Sequence, residues 1–208
     1  MSEHDSNWKY ADEIVAEPEA IAKARQLSLE LGIDTISPAT GAQCAVIAKA
    51  TNAANIVEIG TGAGVSGLWL LSPSTRSVLT SIDIEPEHLS YARDAFAGAG
   101  IPTNRSRFIA GKALEVLPRM NENSYDIVFV DADPTQLIEN VEHGLRLVRP
   151  GGTVLVPHAL WKGRVADPAQ RDEITSSYRT LIHEIASSAA VTSALSPVGD
   201  GLLQITVS

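Results

Sequence analysis

Residues 57–71 read VEIGTGAGVSGLWLL, and residues 81–88 read SIDIEPEH. These two stretches decide the fold. A short apolar run (Ile56, Val57, Ile59) ends in a glycine cluster, Gly60, Gly62 and Gly64. A helix-like segment from Ser66 to Leu71 follows, and a second apolar run, Val78 to Ile82, ends at Asp83. Strand, glycine turn, helix, strand and acid together describe a nucleoside-binding crevice. The glycines let backbone approach a ligand closely, and an acid about 20 residues further on can accept hydrogen bonds from a ribose diol.

The glycine pattern narrows the choice of nucleoside. A dinucleotide fingerprint has a third glycine where helix and strand pack closely, and that position is Val65 here. Glu58 inside the first strand is a second departure. A carboxylate beside the turn suits a cationic or amine-bearing ligand better than a pyrophosphate. Both features resemble motif I of the S-adenosylmethionine-dependent methyltransferases, in which E-x-G-x-G contacts the methionine part of the cofactor.

The rest of the chain bounds the reading. At 208 residues it is expected to be one domain, with residues 1–50 a helical extension and 51–208 a cofactor-binding core. Acids outnumber bases 25 to 16, which disfavours nucleic acid or an anionic membrane surface as partner. A single cysteine, Cys44, permits no intramolecular disulfide, and its setting AQCAVIAKA reads as a buried helix face with an inert thiol. No apolar run approaches membrane-spanning length, and MSEHDSNWKYADE has no secretory core, so a cytoplasmic protein is expected. These first dozen residues are expected to be disordered or to dock elsewhere on the protein.

Pro18 and Gly32 frame one helix, and Ser37-Pro38 opens another that runs to Ala50. From Ile56 the pattern alternates. Strands are expected over 56–59, 78–82, 107–110, 125–130, 153–156, 191–195 and 202–207, and helices over 66–71, 86–97, 113–120, 135–147 and 168–187, the last started by Asp167-Pro168. The fold class is therefore α/β, a seven-stranded, mostly parallel sheet with helices on both faces. Only SPVGDG separates the last two strands, too little for a parallel crossover, so the last strand must run antiparallel if the two are adjacent. Strand units ending in an antiparallel hairpin strand resemble the Rossmann-like sheet of class I methyltransferases.

From about Ile36 to the C-terminus the chain is similar to the catechol/caffeoyl-CoA-type O-methyltransferases. The matching segments are ISPATGAQ, VEIGTGAGVSGLWLL, SIDIEPEHLSYAR, AGKALEVLP, YDIVFVDAD, LRLVRPGGTVLV, LWKGRVADP and VGDGL. The resemblance implies S-adenosylmethionine as cofactor and transfer of its methyl group to a hydroxyl of a small aromatic acceptor, in an enzyme that is often a homodimer. It implies a cofactor site built from Ile36 at the methionine end, from Glu58 and Ser66 for the amino and carboxylate groups, and from the Gly60, Thr61, Gly62 and Gly64 backbone beneath. Asp83 would take the ribose hydroxyls, Ile84 would lie against adenine, Lys112 and Ala113 would flank its edge, and Asp131 would sit below the sulfonium.

The same family places a divalent metal on an aspartate after strand four and an Asp-Asn pair after strand five, with a lysine three residues beyond the first aspartate. Here Asp131 keeps the first position, Pro134 stands at the lysine, and Pro157-His158 stands at the pair. Three readings of Asp131 and His158 stay open: a rebuilt metal site with Asp133 as a further donor, His158 as a general base, or His158 as a loop residue without a chemical task. Two rival functions also stay open, a nicotinamide-dependent oxidoreductase and a cofactor-binding module without catalysis. His88 is expected to serve packing, Trp161 to be a structural aromatic, and Asp200-Gly201 to mark a turn.

Overall fold

A computed structural model describes residues 3–208, with side chains described from Ser6 onward. The elements run α1 (Glu3–Glu13), α2 (Glu19–Leu31), α3 (Pro38–Ala50), β1 (Asn55–Ile59), α4 (Val65–Leu71), β2 (Val78–Asp83), α5 (Pro86–Gly98), β3 (Ser106–Ala110), α6 (Ala113–Val116), β4 (Tyr125–Val130), α7 (Leu137–Leu147), β5 (Val148–Pro157), α8 (Glu173–Ser187), β6 (Val191–Ser196) and β7 (Leu202–Val207).

The seven strands form one sheet in the order β3-β2-β1-β4-β5-β7-β6. β1 to β5 pair in parallel, and β7 inserts antiparallel between β5 and β6, as the short SPVGDG link requires. The chain moves outward from β1 in one direction and then returns to β4 on its other side. This reversal opens a crevice at the carboxyl ends of β1 and β4, where such sheets bind ligands.

Alternation along the strands feeds two apolar layers. Ile56, Leu79, Ile127, Phe129 and Leu155 face α2 to α5, while Val57, Ile59, Val128, Val130, Val154 and Val156 face α7 and α8. Both sheet faces are thus covered by helices, the condition under which parallel strands read as near-continuous apolar runs. Cys44 sits in the first layer with no exposure, and burial pushes its thiol up to about 12, which makes it inert at neutral pH.

Of the two alternatives for the polar N-terminal segment, the structure takes docking: α1 packs on α3 and on the turn before β7, and Asp12 accepts a hydrogen bond from the Ala39 N–H at 3.0 Å. Met1 and Ser2, part of the same segment, lie outside the described residues. Two local expectations need correction, both on helix bounds. α8 starts at Glu173 instead of Pro168, because Asp172 caps it by accepting from both the Thr175 N–H (3.1 Å) and the Thr175 hydroxyl (2.8 Å), whereas Asp167 is spent on a local turn with Ala169. Residues 117–119 and 134–136 are single 3-10 turns flanking shorter α-helices. The framing of α2 is as expected, with Gly32 closing it at φ 70°.

Candidate functional site

The crevice holds a cavity of about 460 Å³, within the usual range for a small-molecule site. Its floor is the turn after β1. Gly60 has φ 91°, and a Cβ there would fall 1.7 Å from the carbonyl oxygen of Asp131. Only glycine lets the ends of β1 and β4 come together at this point. The Asp131 N–H donates to the Ile59 carbonyl at 2.8 Å, which fixes the first residue after β4 directly beside the turn.

Asp83 organises the second corner. One carboxylate oxygen accepts from the Thr61 and Gly62 N–H groups at 2.9 and 3.0 Å, and the other from the Glu85 N–H at 2.9 Å. The ring of His88 lies 3.3 Å away through Nδ1. So the strand-end acid also ties down the glycine turn, and His88 lines the cavity where packing alone was expected.

The loop between α2 and α3 supplies the opposite rim, Ile33 to Ile36. Arg25 holds it from behind, donating to the Thr35 hydroxyl at 2.8 Å and to the Ile36 carbonyl at 2.5 Å while pairing with Glu17 at 2.7 Å. Ile84, Lys112 and Ala113 close the far end, with Lys112 pointing toward Glu115 at 3.9 Å.

Ile36, Gly60, Thr61, Gly62, Ser66, Asp83, Ile84, Lys112, Ala113, Asp131 and His158 therefore all line one cavity. Glu58 and Gly64 do not. Glu58 shares the strand parity of Ile56, which turns it under α4, fully buried. It accepts from the Ser66 hydroxyl at 2.6 Å and the Ser81 hydroxyl at 2.5 Å, and Ser81 meets Thr61 at 2.6 Å. Burial pushes its carboxyl up to about 7, against the pull of both serines. Glu58 is linked to the cavity through Ser66 and, by way of Ser81, through Thr61, both of which line it.

The third corner joins the ends of β4 and β5 to the turn before β7. His158 Nε2 lies 4.0 Å from Asp131 Oδ1, and His158 Nδ1 lies 3.7 Å from Asp200 Oδ2. Nε2 is buried without a hydrogen-bond partner among the described residues. Burial by itself lowers the pKa of His158, but Asp200, Asp131 and Asp34 outweigh it and hold the imidazole above its ordinary value. Burial raises the carboxyl of Asp131, with Asp34 adding to the effect and His158 opposing it. Trp161 lines the same corner and stacks on Tyr178 at 5.4 Å, so it is structural and lines the site at once.

The donor set here does not fit a metal centre. Ligand bonds of about 2.0–2.2 Å at a tetrahedral or octahedral ion bring adjacent donors closer together than 4.0 Å. Among the described residues no group of three His, Cys, Asp or Glu side chains converges on a common point. Asp133 caps the turn at Thr135 instead, and Pro134 and Pro157 offer no donor. A sulfonium- and amine-bearing nucleoside does fit. The glycine floor allows close approach, and Asp34, Asp83, Glu85, Asp131 and Asp133 give the lining an acidic balance that favours positive charge.

Comparison with known proteins agrees with this geometry. A profile described as O-methyltransferase matches residues 11–206. A Mycobacterium tuberculosis protein named "Probable O-methyltransferase" is 45% identical over 203 residues, covering 97% of this chain and 91% of its own. A Mycobacterium avium relative matches with the same identity and coverage. Among solved structures, a Corynebacterium glutamicum protein superposes with TM-score 0.91 at 29% identity, covering 100% of this chain and 98% of its own. The O-methyltransferase TomG from Streptomyces achromogenes, involved in tomaymycin synthesis and crystallised with S-adenosylmethionine, superposes with TM-score 0.85 at 28% identity over 100% of both chains.

Proposed function

The chain belongs to the O-methyltransferase family, and on that premise we propose that it methylates a hydroxyl of a small aromatic acceptor from S-adenosylmethionine, with His158 as general base and without a metal. One observation carries the reading. His158 lines the cavity beside Asp131 and the glycine floor, and its buried Nε2 has no hydrogen-bond partner among the described residues. A buried polar atom left unpaired is costly, which favours a ligand group as its partner.

The bound cofactor supplies an electrophilic methyl on a sulfonium. The acceptor oxygen forms the new O–C bond as the C–S bond breaks, its electron pair staying on sulfur, and the hydroxyl proton passes to His158 Nε2. The residues of the chain do the rest. Asp83 and the Gly60–Gly62 backbone hold the nucleoside. Ser66 serves the amino-acid end, with Glu58 behind it. Asp131, close to the imidazole, stabilises the imidazolium once it forms. Trp161 and Ile33 give an aromatic acceptor apolar walls.

The acidic net charge of −9 supports a small acceptor over a nucleic acid. No helix among the described residues is long and apolar enough to cross a membrane, and the reading places the enzyme in the cytoplasm. The reading includes a homodimer, as the family resemblance implies.

The test is methyl transfer from labelled cofactor to a panel of phenols and catechols, with and without chelator. Transfer that survives chelation is expected. Failure across the panel, or activity abolished by chelation and restored by a divalent ion, would sink the proposal.

A further inference from the structure

We propose that Asp200 is the positioning residue for this base, holding the His158 ring with its proton on Nδ1 so that Nε2 presents a lone pair to the acceptor hydroxyl. The inference rests on the proposed role of His158 and adds a residue from a different part of the chain.

The turn after β5 is wound in an uncommon way. His158, Trp161 and Lys162 all have positive φ, at 55°, 48° and 56°. Non-glycine residues in this region cost energy and persist only where the surroundings over-determine them. Asp200 provides much of that determination. Its two carboxylate oxygens accept the Lys162 N–H at 2.6 and 2.8 Å, and its carbonyl accepts the Leu160 N–H at 2.8 Å. The Ala159 N–H donates to the Gly201 carbonyl at 3.1 Å. The same carboxylate faces His158 Nδ1 at 3.7 Å.

Asp200 is itself fixed from below. It has φ 70°. Before it, Gly199 is pressed onto the start of α3, where a Cβ would fall 2.1 Å from Thr40 Oγ1 and 2.3 Å from Ser37 Oγ. The loop cannot recede from the histidine on that side. A carboxylate anchored at both ends thus reads one ring nitrogen, while the other nitrogen is buried without a hydrogen-bond partner among the described residues, in a side chain that lines the cavity. The 3.7 Å separation is longer than a hydrogen bond, and catalytic hydrogen bonds are often long before the reacting complex forms. A carboxylate can only accept, so it selects the Nδ1–H tautomer and leaves Nε2 able to take a proton.

Asp200→Asn tests the positioning. Its amide oxygen, in place of Oδ1, still accepts the Lys162 N–H, while its amide nitrogen, in place of Oδ2, gives up the second Lys162 contact and turns a donor to the ring, favouring the opposite tautomer. Nitrogen-15 spectra of histidine-labelled protein, taken at a pH where the ring is neutral, read this directly. The wild-type chain is expected to show His158 protonated on Nδ1, and Asp200→Asn to show it protonated on Nε2. In methyl transfer to catechol, kcat should fall about a hundredfold or more while KM and S-adenosylhomocysteine affinity stay unchanged. Asp200→Glu, which keeps the carboxylate, should retain the Nδ1 tautomer and recover most of the rate, and it serves as the deciding variant if Asp200→Asn does not fold. An Nε2-protonated wild-type ring, or the same tautomer in wild type and Asp200→Asn, overturns the inference. His158→Ala methylating catechol at the wild-type rate would instead remove the base itself, a separate outcome that the tautomer measurement does not depend on.

Discussion

His158 Nε2 and Asp131 Oδ1 lie 4.0 Å apart where β4 and β5 end, and the histidine nitrogen has no hydrogen-bond partner among the described residues. The gap is too wide for a hydrogen bond, and in the proposed reaction this nitrogen takes the acceptor's proton. A base must be neutral, and the surrounding acids hold His158 above its ordinary value. The rate should therefore be low at and below about pH 6.5 and climb as pH passes through the raised value. Asp131→Asn removes one of the charges responsible, so the rising limb should move to lower pH. Profiles of kcat/KM against pH for the two proteins check this; a flat wild-type profile contradicts it.

Asp83 ties the glycine turn as well as facing the nucleoside end of the cavity. Asp83→Ala frees the Thr61, Gly62 and Glu85 N–H groups at once. Affinity for S-adenosylhomocysteine should fall at least about tenfold, near 1.4 kcal/mol, with a lowered melting temperature. Calorimetric titration beside thermal unfolding measures both. Unchanged affinity would move the cofactor's polar anchor elsewhere.

Glu58 predicts a pH dependence of stability. Its carboxyl is raised in the folded protein to about 7 from an ordinary 4.5. The folded state then binds more protons than the unfolded state between these values. The contribution is full below the ordinary value and is lost as pH rises through about 7. The loss is on the order of 3 kcal/mol. Glu58→Gln should flatten this part of the curve, so urea midpoints of the two proteins should converge or cross between acid and alkaline buffers. Parallel curves would show that the proton on Glu58 is not linked to folding.

Asp126 sits at the opposite end of the strands from the cavity. It accepts from the Ala54 and Asn55 N–H groups, each at 2.8 Å, and from Arg149 Nε at 2.7 Å. Burial raises its pKa, but these three donors prevail and hold the carboxyl below its ordinary value. Asp126→Ala should cost about 2–3 kcal/mol, with cofactor affinity unchanged. Denaturant titration and cofactor titration together test it, and an equal loss in both would show that the strand start and the site are coupled.

Much of the fold is legible locally. Val57 to Gly64 and Ser81 to Asp83 announce the strand–turn–strand unit because apolar periodicity and glycine act over a few residues. The short SPVGDG link forces the antiparallel end. The residues that the motifs suggest for the cofactor line one cavity, apart from Glu58 and Gly64. The N-terminal helix escaped because its polar sequence has little apolar stripe, and its stability comes from docking on α3. The start of α8 was misplaced because Asp167 and Asp172 are both plausible caps, and only the turn geometry shows which one faces the helix.

The sequence by itself determined the order of strands and helices along the chain, the antiparallel last strand, the nucleoside crevice and the loss of one usual metal donor at Pro157 and of the usual lysine at Pro134. These follow from short-range periodicity and from side-chain chemistry that no packing can restore. The tertiary structure alone decided that Glu58 lies under α4, that His88 joins the Asp83 corner, and that Asp200 meets His158. His158 and Asp200 are far apart in the chain, Glu58 meets Ser81 across neighbouring strands, and His88, though only five residues from Asp83, turns back to it after β2. Their meeting depends on strand register, on which face of the sheet each helix covers, and on the approach of Gly199 to the start of α3, none of which leaves a local pattern in the residues involved.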